Sequence, residues 1–199
     1  MGQSKPEVVS PVANVDEHNA AYLAGTSRIK PHIFLDNKVP AKTKQTTHDI
    51  QKGIACLNAV VNYNPANWNA LWIIGKGYQA LGDDLKAYSN FKCAYELEKG
   101  NPNVAREYGQ SCLRLGHGAE VVSLCIAAME AAPNDAGLHA NLALAYLISG
   151  EISFAKRAIL YALQMKPDDK VSLSVQRLIN DVADGKRAQP KSLAELRAN

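Results

Sequence analysis

The side chains able to do chemistry in this sequence are few and scattered. Five histidines (His18, His32, His48, His117 and His139) form no HExxH or other i, i+4 ligand pair, and four cysteines (Cys56, Cys93, Cys112 and Cys125) show no CxxC or CxxH spacing. Neither a metal site nor a cofactor is expected from these spacings. Cys112 and His117 are near enough in sequence to be considered as nucleophile and base. However, Cys112 falls on an inward apolar position and His117 in a turn, so core packing is the reading adopted. Gly75-Lys76-Gly77 invites comparison with a phosphate loop, but it sits inside a helical pattern and lacks the closing Ser or Thr. The paired acids Asp83-Asp84 and Asp168-Asp169 stand at helix starts, where carboxylates answer unpaired backbone N–H groups. No catalytic residue emerges, and the chain reads as a non-enzyme.

The elements that would position any such groups declare themselves by repetition. The 199 residues are 47% hydrophobic and 21% charged with a formal net charge of +3, a balance that excludes a mostly disordered chain. Sliding the sequence against itself gives a period of 34. Gly75 recurs as Gly109 and Ala143; Gly82 as Gly116 and Gly150; Ala94 as Ala128 and Ala162; Phe91 as Cys125 and Ile159. Within a unit, Leu71, Ile74, Tyr78 and Leu81, then Ala87, Phe91, Ala94 and Leu97, fall at helical spacing, so each unit is two amphipathic helices. Gly82, Gly116 and Gly150 mark the turns inside units. Gly100-Asn101-Pro102, Pro133-Asn134-Asp135 and Pro167-Asp168-Asp169 mark the breaks between them.

These residues resemble the tetratricopeptide repeat, whose signature is W-x2-L-G-x2-Y, then A-x3-F, then P at a period of 34. The unit 68–101 carries Leu71 in the tryptophan place, Ile74-Gly75, Tyr78, Ala87 and Phe91, with Lys99 where proline is usual. Units 102–135 and 136–169 recover Pro133 and Pro167. The resemblance implies an all-α fold: a right-handed superhelical solenoid of about three helix pairs. A half repeat over 49–67 precedes them, and a capping helix running from Leu173 to Val182 follows. The expected organisation is an irregular N-terminal arm over 1–48, the solenoid over 49–184 and a basic, flexible tail over 185–199. The arm holds a short helical candidate from Glu17 to Ala24 and an apolar patch, Ile33-Phe34-Leu35, which either caps the stack or mediates homo-oligomer contacts.

In such a solenoid the first helix of each unit lines the concave side, and the register names its outward residues. They are Asn69, Trp72 and Lys76 in the first unit, then Asn103, Arg106, Gln110 and Arg114, then Asn141, Leu144 and Ile148. An extended peptide with an acidic or carboxylate end and an apolar anchor would suit that lining. The resemblance implies that Asn141, at the sixth place, holds a bound peptide backbone. The family also includes co-chaperones that clamp a terminal carboxylate. This chain has Trp72, Lys76, Glu107, Gly137 and Asn141 at the clamp places, so it departs from that pattern. The function expected is a protein–protein interaction module binding a peptide or partner protein. The alternatives are an assembly chaperone of a bacterial secretion or pilus system, and a regulatory subunit of an enzyme complex.

Charge and hydropathy narrow the partners. Residues 1–48 carry +2 and residues 186–199 carry +3, whereas the repeat body carries −2. Neither flank reaches the density of basic and aromatic residues that nucleic acid requires, so that partner is not expected. No run approaches the roughly 20 apolar residues of a membrane span. The first residues lack the apolar stretch of a signal peptide and the cysteines lack a disulfide pattern, which together give a cytoplasmic expectation.

Overall fold

The computed structural model describes residues 11–33 and 43–197, and among these there are helices and turns but no strand. It divides into two compact units, Met1–Leu97 and Glu98–Asn199. None of the helices of the described residues is long and apolar enough to cross a membrane.

The first unit contains α1 (Val15–Ile29), α2 (Lys44–Tyr63), α3 (Trp68–Leu81) and α4 (Asp84–Leu97). α1 corrects the expectation of an irregular arm by extending the short helical candidate Glu17 to Ala24 in both directions. It is a full helix, capped by Asn14, whose side chain accepts from Glu17 N at 2.9 Å, and it packs along α2. The contact is made by small residues. A Cβ on Gly25 would stand 2.7 Å from Leu57 Cγ, and one on Gly53 would stand 2.5 Å from Ile29 Cγ1, so the two backbones approach more closely than alanine would allow. α2 begins at Lys44 because Thr43 and Thr46 form reciprocal side-chain-to-backbone caps, which draws the polar KQTT stretch into the helix. Ile29, Ile50, Ile54, Leu57, Val60 and Ile74 form the core of this unit. Ile33 joins them, while Phe34, Leu35 and Pro40 lie outside the described residues.

The second unit contains α5 (Pro102–Leu115), α6 (Gly118–Ala131), α7 (Ala136–Ile148), α8 (Ile152–Met165), α9 (Lys170–Ala183) and the short α10 (Leu193–Arg197). α5 pairs with α6 and α7 with α8; α9 packs on both α7 and α8. Two devices recur with the period of 34 through both units. First, Asn67, Asn101, Asp135 and Asp169 cap α3, α5, α7 and α9 with their side-chain oxygens. Second, the turns after α3, α5 and α7 close with the same hydrogen bond, from Asp83 N to Tyr78 O at 3.0 Å, His117 N to Cys112 O at 2.9 Å and Glu151 N to Tyr146 O at 2.8 Å.

The segment after α9 is the second departure from expectation. The stretch assigned to a flexible tail is held against the second unit's own turns. Pro190 is buried, Gln189 Nε2 donates to Ile148 O at 3.5 Å, and the Lys191 carbonyl lies where a Cβ on Gly116 would be 2.7 Å away. α10 then rests on α5.

Candidate functional site

The second unit has a cleft of about 740 Å3 between the start of α5, the first half of α7 and the loops that precede α7 and α9. Asp135 organises its centre. One carboxylate oxygen caps α7 by accepting from Gly137 N at 2.8 Å and Leu138 N at 3.3 Å; the other receives the Arg106 guanidinium from α5. Arg106 Nη1 also donates to Asn103 Oδ1 at 2.9 Å, so the guanidinium is held from both sides. Asp169 repeats the cap at the next helix, accepting from Ser172 N at 2.7 Å. Its carboxyl is held below the ordinary range by the Ser172 side chain beside it and then by the Ser172 backbone N–H that donates to it.

Arg106, Gln110 and Asn141 all line this cleft, as the register predicts, joined by Lys166, Asp169 and Val171. Asn141 is 7% exposed, and its Nδ2 is buried with no hydrogen-bond acceptor among the described residues. A buried amide donor without a partner costs roughly 1–3 kcal/mol, and an acceptor brought by a ligand would recover that cost. The lining is balanced in charge, two cations against two carboxylates: Arg106 and Lys166, Asp135 and Asp169. It therefore presents amides and alternating charge rather than the basic surface expected for an acidic peptide end.

The other predicted residues are placed differently. Asn103 is exposed beside Arg106, and Arg114 is half-buried away from the cleft. Leu144 and Ile148, read as open apolar anchors, are each 8% exposed and do not line it. The cause is that α7 is apolar on nearly every face and is buried on nearly every face. In the first unit, Asn69 and Trp72 are half-buried and Lys76 is 3% exposed, with Nζ 6.0 Å from the Trp72 ring centroid.

Sequence spacing pairs Cys112 with His117 but misses Glu120, the third member of a constellation. At the α5–α6 turn, ligand atoms of Cys112, His117 and Glu120 lie within 4.8 Å of one another. The three residues straddle a helix end, a turn and a helix start, so no motif built on one helix would find them; the pattern C-x4-H-x2-E around a glycine turn would.

No family model matches the chain, and no curated relative matches it. Solved structures do. MamA 41-end from Desulfovibrio magneticus RS-1 superposes with a TM-score of 0.70 at 16% identity, covering 86% of this chain and 88% of that one. The TPR protein YrrB, described as having an unusual peptide-binding site, gives 0.60 at 16% identity over 67% and 72%. The chain has the tetratricopeptide-repeat fold. The first such domain of Spaghetti (RPAP3), solved with the HSP90 peptide SRMEEVD, gives 0.54 at 17% identity and covers 59% of this chain and 93% of that one. At these identities the likeness is one of repeat fold. The repeat signature read from Gly75, Tyr78, Ala87 and Phe91 thus meets its structural counterpart.

Proposed function

We propose that this protein is a non-catalytic interaction module whose second-unit cleft binds an extended polypeptide segment. The observation that carries the reading is Asn141 Nδ2, a buried donor in the cleft wall that lacks an acceptor. A backbone carbonyl supplies one, and an amide side chain can both donate to and accept from an extended chain. Gln110 lines the same cleft from α5, and the balanced charges of Arg106, Asp135, Lys166 and Asp169 favour a segment of mixed polarity. Two proteins of the same fold, YrrB and the RPAP3 domain, are described as binding peptides, which supports the assignment to this class.

Selection of a displayed library of random 12-residue peptides on the full chain tests this. Synthetic versions of the selected peptides are then titrated into wild type, Asn141→Ala and Gln110→Ala. The Asn141→Ala chain is expected to bind about tenfold more weakly, the loss of one hydrogen bond. Because the substitution removes an unsatisfied buried donor, its thermal stability is expected to match or exceed wild type. A library that yields no binder, or peptides that bind all three chains alike, would overturn the proposal.

A further inference from the structure

The α5–α6 turn brings together three donor atoms of different chemistry. Cys112 lies in the last turn of α5 and is fully buried, His117 is exposed in the turn itself, and Glu120 is half-buried in the first turn of α6. The backbone fixes their relation. His117 N donates to Cys112 O at 2.9 Å, and Gly116, at φ +84°, reverses the chain so that the imidazole comes back over the end of α5. Tyr108, one turn before Cys112 on α5, donates its hydroxyl to Glu120 Oε1, which leaves Oε2 turned toward His117 Nδ1 at 3.6 Å.

We propose that Cys112, His117 and Glu120 form a site for a single zinc ion or a similarly borderline divalent transition metal, with water as fourth ligand. Thiolate, imidazole and carboxylate are the three ligand types that zinc accepts, and the thiolate disfavours calcium and magnesium, which take oxygen. In a tetrahedral site with metal–ligand bonds of about 2.0–2.3 Å, neighbouring ligand atoms stand roughly 3.3–3.7 Å apart. The His117–Glu120 pair already has that spacing, and closing the 4.8 Å limit of the cluster needs about 1 Å of movement. The exposed His117 ring and the half-buried Glu120 side chain can share it. The charges also close: binding releases the Cys112 thiol proton to solvent, so thiolate and carboxylate together neutralise the dication while His117 stays neutral. Cys112 forms the floor of the site and His117 its solvent-facing edge, which gives the ion a route in. Tyr108 orients the carboxylate from behind, as the outer partners of metal ligands do.

The test uses the full chain, reduced and freed of metal with chelator, titrated with Co2+ and then with Zn2+. One equivalent of Co2+ is expected to give a thiolate-to-cobalt charge-transfer band with the strong visible absorption of tetrahedral cobalt, and one equivalent of Zn2+ to bleach both. Cys112→Ser is expected to abolish the charge-transfer band. His117→Ala alters an exposed turn residue and leaves the core intact; it is expected to weaken binding by at least tenfold, and Tyr108→Phe by about tenfold. Cys93→Ser, at an exposed thiol remote in sequence, is expected to change nothing. A wild-type chain without the band, a band that survives Cys112→Ser, or His117→Ala binding as tightly as wild type would each overturn the proposal.

Discussion

Arg106 on α5 and Asp135 at the head of α7 form a half-buried ion pair in which the carboxylate does two jobs at once. Its second oxygen caps α7 through Gly137 N and Leu138 N, so the residue that starts one helix also ties it to the previous repeat. Asp135→Ala is expected to destabilise the chain by about 1–2 kcal/mol, an N-cap plus a charge-assisted hydrogen bond. Asp135→Asn retains the cap and loses the charge, so its cost is expected to be smaller. Urea unfolding of the two variants measures this, and equal costs would refute the double role.

The glycine that recurs in the first helix of each unit has a reason that differs between units. A Cβ on Gly75 would stand 2.6 Å from Phe91 Cε1, whereas one on Gly109 would meet Val121 Cγ1 at an ordinary 3.6 Å. At the third occurrence the residue is already Ala143, where Ile159 stands in the place of Phe91. Gly75→Ala is therefore expected to cost about 1–3 kcal/mol by overpacking. Gly109→Ala is expected to be neutral or to stabilise by up to about 1 kcal/mol, because alanine is the better helix former. Thermal or urea melts of the two single variants decide it; a Gly75→Ala chain as stable as wild type would show that Phe91 can move aside.

What the sequence made legible was whatever repeats. The period of 34 placed α3 to α9, the turn glycines and the cleft residues Arg106, Gln110 and Asn141. It also runs through the caps Asn67, Asn101, Asp135 and Asp169, where Asn67 follows Pro65 as Asp135 follows Pro133 and Asp169 follows Pro167. The sequence shows only the middle of α1, Glu17 to Ala24, for two physical reasons. The fourteen residues 30–43 that separate α1 from α2 in sequence break the register, and α1 docks through Gly25 and Thr26, with only Ile29 as a large buried residue, so no apolar stripe announces it. The chain after Gly185 has no periodicity at all, and its place is set by tertiary contacts at Gly116 and Ile148. Leu144 and Ile148 are buried because α7 has no polar face to turn outward.

Asp169 carries a pH dependence whose sign follows from its cap. The Ser172 side chain beside it and then the Ser172 backbone N–H lower its folded-state pKa, so the carboxylate stabilises the fold above the ordinary carboxylate value of about 4. That contribution is lost as pH falls through the lowered folded value. Asn at the same position caps without titrating. Between pH 5 and 8 wild type is expected to equal or exceed Asp169→Asn in stability by up to about 1 kcal/mol, the helix-dipole advantage of a charge at an N-terminus. On acidification toward pH 2 the difference is expected to shrink and reverse. Urea midpoints across that range check it, and a gap independent of pH would remove the cap carboxylate from the account.

Gly82 and Gly116 end their helices with nearly the same backbone, φ +83° and +84°, but only one is covered. Nothing lies within 4 Å of a Cβ built on Gly82, while one on Gly116 would strike the Lys191 carbonyl at 2.7 Å. Gly82→Ala is expected to cost about 1–2 kcal/mol, the price of a left-handed alanine. Gly116→Ala carries that cost plus a further 1–3 kcal/mol or so for overpacking against the returning chain. The excess identifies itself by truncation. In a chain ending after Gly185, which retains Gly116 but lacks Gln189, Pro190 and Lys191, the two substitutions are expected to cost the same. An excess at Gly116 that survives truncation would mean the strain lies within the α5–α6 turn itself, and the C-terminal segment would then lose its assigned role as a strap over that turn.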